Sequence, residues 1–374
     1  MSGSTTRRDW LRTNLAALGW VAAGGPGLAH GAETRSPAAS GRRQGIVRLC
    51  YNENPHGPGP GALAAISEQA SRGNRYGLEL QSQLRQAIAQ ANGVGGDQVA
   101  LGSGSSEILA LATSLAARKG PGHILMGSPS FTSWLSPAGQ LGLETRTIRL
   151  DEGHRHDLPS MAAAINDSTR MVYLCNPGNP TGTVSPDKEL RDFIRQAAAK
   201  TLVVVDEAYF EYVCTGSVAD MTKELPNLVV TRTFSKLYGL AGLRVGYGVG
   251  QMAGALAARE GWPNAGVSSL SMGAALASLR DGNFAQDARQ KTREAMDFAT
   301  GNLKTLGLEY IPSVASFVMF DTSGFKGDMA DALEKRGVQV RNWEMKRKRW
   351  CRVSMGTMEE MEIFADRLKA VLKA

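Results

Sequence analysis

Three short segments hold most of the side chains able to do chemistry. Cys175-Asn176-Pro177-Gly178-Asn179-Pro180-Thr181-Gly182 contains two Asn-Pro steps. These impose a rigid turn and present Asn179 as a fixed polar group. Val203-Val204-Val205-Asp206-Glu207-Ala208-Tyr209 follows a β-branched run with a carboxylate and then a phenol. Thr233-Phe234-Ser235-Lys236 sets an amine beside a hydroxyl, between apolar Phe234 and Leu237. The glycine-rich Gly239-Leu240-Ala241-Gly242-Leu243 then leads to Arg244. Amine, carboxylate and phenol are the groups that covalent and general acid–base catalysis use.

A fourth segment, Gly102-Ser103-Gly104-Ser105-Ser106, opens a helix directly after a strand. Backbone N–H groups at a helix N-terminus bind phosphate, and small residues let it approach. Glu107 occupies the last glycine position of a dinucleotide fingerprint, which argues against that use. Asp206-Glu207 after four apolar residues could be the acid of a nucleotide hydrolase, but the chain has no Gly-Lys step and so no P-loop.

These segments need elements to hold them. Short apolar runs at Val99–Leu101, His123–Met126, Met171–Cys175, Leu202–Val205 and Leu228–Thr231 read as buried strands, and Glu144–Leu150 alternates. Helical spacing lies between them at Leu80–Ala91, Ser105–Ala117, Met161–Ile165 and Asp187–Ala199. The alternation predicts an α/β fold with a large, mostly parallel, doubly wound sheet. In such sheets ligands lie outside the carboxyl ends of the strands, where the three segments fall. After residue 285 a long helix (about 283–306) leads into shorter strands and two more helices, a small α+β domain.

The 374 residues carry 42 Lys plus Arg against 35 Asp plus Glu, a mild excess of +7 that suits anionic small ligands. No nucleic-acid signature accompanies it. None of the four cysteines forms a C-x-x-C pair and the histidines show no ligand spacing, so no metal site is expected. His154 and His156 read as solvated loop residues, and the Lys346-Arg347-Lys348-Arg349 run as a solvated loop.

Taken in order, Asn52-Glu53-Asn54-Pro55, Asn-Pro-Gly-Asn-Pro-Thr-Gly, Asp-Glu-Ala-Tyr and Ser-Lys-x-x-Gly-Leu-Ala-Gly-Leu-Arg form a specific set. From about Cys50 to the C-terminus the chain resembles the pyridoxal-phosphate enzymes of the aspartate-aminotransferase fold (class I/II). The histidinol-phosphate aminotransferase branch is the most similar. The resemblance implies that Lys236 forms a Schiff base with pyridoxal 5'-phosphate and moves the substrate α-proton, and that Asp206 pairs with the pyridinium nitrogen. Tyr209 and Asn179 would meet the phenolate oxygen and Phe131 would stack on the ring. Ser103, Gly104, Ser105, Ser235 and Arg244 would hold the phosphate. Arg352 would fork onto a carboxylate, with Arg341 meeting a distal phosphate and Asn52 and Asn54 completing the substrate site. Tyr76 would reach the partner subunit's cofactor phosphate, which implies a homodimer. An amino donor and a 2-oxo acid acceptor follow as substrates. A decarboxylase, lyase or oxidase would keep the same lysine and aspartate.

The N-terminus has a different character. Thr6-Arg7-Arg8-Asp9-Trp10-Leu11-Arg12, a glycine-diluted apolar stretch to Leu28 and Ala29-His30-Gly31 resemble a twin-arginine export signal. That stretch is too short for a permanent membrane anchor. The expected layout is a signal over 1–31 and a flexible lead-in over 32–45. A segment over 46–75 joins the small domain, followed by the large domain over 76–282 and the connector helix with the small domain over 283–374. Export would place the protein in the periplasm. Histidine biosynthesis belongs in the cytoplasm, so the substrate stays open between an amino acid and histidinol phosphate, which lacks an α-carboxylate.

Overall fold

The structure is a computed structural model that describes residues 45–136, 138–214, 216–253 and 266–373. The expected signal over 1–31 and most of the lead-in lie outside the described residues.

Along the chain, β1 (Val47–Arg48) precedes helices α1 (Pro60–Ala70) and α2 (Leu78–Asn92). Strand and helix then alternate: β2 (Val99–Gly102), α3 (Ser105–Ala117), β3 (Gly122–Ser128), β4 (Leu143–Arg149), α4 (Leu158–Ala164), β5 (Thr169–Cys175), α5 (Asp187–Ala198) and β6 (Leu202–Asp206). The single turn α6 (Phe210–Val213), β7 (Leu228–Thr233) and β8 (Gly246–Val249) close this part. There follow α7 (Ser269–Arg280), α8 (Gly282–Thr305), β9 (Tyr310–Ile311), β10 (Phe317–Asp321), α9 (Met329–Glu334), β11 (Val338–Gln339), β12 (Arg341–Met345), β13 (Lys348–Ser354) and α10 (Met358–Leu372).

Seven strands form one sheet in the order β2-β8-β7-β6-β5-β3-β4. Among the described strands of this sheet, β8 alone runs opposite to the other six. Every residue of β6 is buried, as expected of a β-branched run covered on both faces. The helices supply that cover. In α5, Leu190, Phe193, Ile194 and Ala197 recur at helical spacing and are buried together.

A second sheet, β12-β13-β10-β9, is antiparallel throughout, and β1 pairs in parallel with β11 beside it. Its apolar face packs against α8, α9 and α10. The last of these helices starts with a capping box between Thr357 and Glu360.

Two loop expectations are corrected. His156 is buried, with Nε2 3.0 Å from the Cys175 carbonyl, because its loop folds under the end of β5. The basic run is not a loop: Lys348 and Arg349 belong to β13, and Lys346 and Arg347 make a two-residue hairpin turn with φ of 50° and 63°. Lys346 Nζ anchors the turn by donating to the Asp151 carbonyl at 2.8 Å. All four cysteines are free thiols. Among the described residues no helix is long and apolar enough to cross a membrane.

Candidate active site

Neighbouring parallel strands end side by side, so the loops after β5, β6 and β7 meet. Register places Cys175 opposite Asp206, and Asp206 opposite Thr231. Those loops line a cleft of about 690 Å³, whose other walls come from Tyr51–Glu53, the Phe131 loop, Arg341–Trp343 and Arg352.

Asp206 lies buried at the end of β6. Its carboxylate accepts from Tyr173 Oη at 3.0 Å, Thr231 Oγ1 at 3.2 Å and the Ala208 N–H at 3.2 Å. Burial still outweighs these bonds and raises its pKa to about 6. Lys236 Nζ donates to the Tyr51 carbonyl at 3.0 Å and stands 5.7 Å from the Tyr209 ring centre. Burial, with the charges of Arg352 and Arg244 adding to it, lowers its pKa to about 8.

Tyr209 is buried, and burial pushes its phenol above the ordinary range. Its oxygen accepts from Asn52 Nδ2 at 2.8 Å and Asn179 Nδ2 at 3.5 Å, which leaves the phenolic hydrogen free to donate into the cleft. Asn52 is held in turn by Ser354, which accepts its N–H and donates back to Oδ1, both at 2.9 Å. Asn179 Oδ1 accepts from Arg352 Nη1 at 2.6 Å, and Arg352 Nη2 donates to the Cys50 carbonyl at 2.9 Å. Arg352 thus lies buried, with its guanidinium 5.2 Å from the Phe317 ring and 5.9 Å from Trp343. Arg341 is its directly opposite cross-strand partner and lines the exposed mouth.

At the far end, α3 begins at Ser105 after Gly104, which has φ +80°. A Cβ on Gly104 would collide with the Arg244 guanidinium, so this approach needs glycine. Arg244 donates to Ser235 Oγ at 3.2 Å and to the Ser103 carbonyl at 3.3 Å. Helix N-terminus, two hydroxyls and a guanidinium make an anion cradle.

Four expected site residues do not line the cleft as read; of these, Gly104 serves only by letting Arg244 approach the start of α3. Ser103 lies beneath the cradle, its N–H taken by the Glu107 carboxylate and its hydroxyl by the Gly266 carbonyl. Asn54 Nδ2 donates to the Leu237 carbonyl at 2.6 Å, so its amide holds the lysine loop and does not face a substrate. Tyr76 is 93% exposed, in a separate groove along α1, α2 and α7. Sequence reasoning missed Tyr173, Thr231 and Ser354, which orient the acid and the amide. Tyr173 and Thr231 belong to strands buried on both faces, where no alternation marks the side turned toward a site.

An amine and an acid across from an anion cradle, at the carboxyl ends of a mostly parallel sheet, define a pyridoxal-phosphate enzyme of the aminotransferase fold. The comparisons agree. The aminotransferase class I and II family matches residues 44–368, and the chain belongs to it. It is 39% identical to histidinol-phosphate aminotransferase 2 of Carboxydothermus hydrogenoformans, covering 88% of this chain and 91% of that one. It is 38% identical to histidinol-phosphate aminotransferase 1 of Nitrosococcus oceani, covering 88% and 90%. The crystal structure of histidinol-phosphate aminotransferase from Sinorhizobium meliloti in complex with pyridoxal 5'-phosphate superposes with a TM-score of 0.76 at 26% identity, covering 88% and 91%. The protein is a pyridoxal-phosphate-dependent aminotransferase. Its residues fit that cofactor: the cradle suits a phosphate, and the buried Asp206 suits a cationic ring nitrogen.

Proposed function

We propose that the protein moves the amino group of histidinol phosphate, or of an amine with the same distal dianion, to a 2-oxo acid. The carrying observation is the Arg341–Arg352 pair. Like charges placed directly opposite on neighbouring strands repel. Neither has a carboxylate partner among the described hydrogen bonds and ion pairs, and both face the cleft. Such a pair is suited to a group carrying two negative charges. The names of the relatives support the same reading.

Pyridoxal phosphate, when bound, supplies an aldehyde to hold the amine and a ring to accept electrons from the substrate α-carbon. In this reading Lys236 would hold the cofactor, and its amine, when free, would move the α-proton. Asp206 would face the ring nitrogen, Tyr209 and Asn179 would offer hydrogens to the phenolic oxygen, Phe131 would lie beside the ring, and the α3 N-terminus with Ser235 and Arg244 would hold the phosphate. Tyr173 and Thr231 hold Asp206 in line.

The exposed Tyr76 is suited to completing a partner's site, so the working form is a homodimer. Residues 1–43 precede the family match, and their arginine pair supports export of the loaded enzyme by the twin-arginine route.

A donor screen with histidinol phosphate, aromatic amino acids and glutamate tests the substrate. Histidinol phosphate should give the highest kcat/KM, and Arg341→Gln should lower that value about tenfold or more while leaving uncharged-tail donors within about twofold. An equal loss for every donor would overturn the reading.

A further inference from the structure

Beside the cleft, a small pocket of about 10 Å³ is formed where three loops meet: 128–133 after β3, 150–157 after β4 and 175–185 after β5. Each loop lines it with a residue that carries a buried polar atom without a protein partner. Ser130 Oγ comes from the first loop, His156 Nδ1 and His154 Nδ1 from the second, and Ser185 Oγ from the third. Ser130, His156 and Ser185 are each more than nine-tenths buried.

An unpaired buried polar group is destabilising, so this many in one place require explanation. His156 cannot escape by changing tautomer. If Nε2 donates to the Cys175 carbonyl, Nδ1 is an acceptor; if Nε2 accepts the Cys175 N–H at 3.2 Å, Nδ1 bears the hydrogen. The cavity has the volume of about one water, and a water needs two to four polar partners.

We propose that this cavity is a binding site for a single internal water, which joins the three loops and positions Asn179. Ser130, Cys175 and Asn179 line both this pocket and the cleft, so a water held here would adjoin the cleft. Its partner Ser185 also donates its N–H to Asn176 Oδ1 at 2.9 Å, which closes the turn that presents Asn179. Asn179 in turn orients Tyr209 and Arg352. The proposal holds whatever the substrate is.

A crystal structure of the cofactor-loaded protein at about 1.5 Å resolution tests occupancy. It should show one water within 3.2 Å of at least two of Ser130 Oγ, His156 Nδ1 and Ser185 Oγ. Density showing these side chains bonded to one another, with no water, overturns the site. Thermal midpoints of Ser130→Ala, Ser185→Ala and the double variant test the bridge. The double variant should lose less than the sum of the singles, because both serve one water; strict additivity overturns the joining role. Ser185→Ala should also shift the visible band of the bound cofactor, while Ser278→Ala, at a buried serine in α7 away from both cavities, should not. An unmoved band in Ser185→Ala overturns the positioning role.

Discussion

Lys236 and Asp206 are displaced from their ordinary pKa values in opposite directions by one cause. Burial disfavours the ammonium of one, lowered to about 8, and the carboxylate of the other, raised to about 6. Each group therefore gains from meeting the cofactor: the lysine by giving up its charge in a covalent bond, the aspartate by facing a cation. The neutral amine is the reactive form, so its availability rises with pH through the folded value. In cofactor-free protein, reductive labelling of Lys236 by a small aldehyde should rise with pH about a midpoint near 8. An ordinary lysine titrates near 10.5, and a midpoint there would contradict the burial argument. Lys236, Asp206, Tyr209, Asn179 and Arg244 were legible in the sequence because each sits in a short motif with unusual neighbours. The turn of the Asn54 amide toward the Leu237 carbonyl was not legible, because a motif shows which residues are present, not which way an amide points.

At the scale of elements, β5, β6 and β7 were readable as β-branched runs, and their shared direction explains why three distant loops converge. The β12–β13 hairpin was not readable. Two-residue turns with positive φ favour Asn and Gly, and here Lys346 and Arg347 adopt that backbone, held by tertiary anchorage to Asp151 and Glu152. Beneath the site, the strand ends are fixed by a buried ion pair. Arg232 Nε and Nη2 donate to Glu207 Oε2 at 2.9 and 2.8 Å, and the Val218 N–H donates to the same carboxylate at 2.8 Å. Removing one partner leaves a buried charge uncompensated. Arg232→Met should lower unfolding free energy by about 3–5 kcal/mol, and adding Glu207→Gln should recover much of that. Denaturant unfolding checks both; a loss under about 1 kcal/mol in the single variant would contradict the pair's structural role.

Among the described residues the two larger sheets both contribute to one cleft, since Lys236 follows β7 of the seven-stranded sheet and Arg352 lies in β13 of the four-stranded one. A chain that binds a charged cofactor in such a site must fold before the cofactor is secured. A secretion route that threads unfolded chains would lose it, whereas the twin-arginine route carries folded proteins. The proposed export signal predicts that changing Arg7 and Arg8 to Lys leaves active, full-length enzyme in the cytoplasm, measured by cell fractionation; continued export and processing near Gly31 would contradict that proposal. Borohydride reduction of the loaded protein followed by peptide mapping shows where the cofactor attaches. The reduced cofactor's mass should appear on the peptide containing Lys236, with no label in Lys236→Ala. Label on another lysine, or an equally labelled variant, would contradict attachment at Lys236.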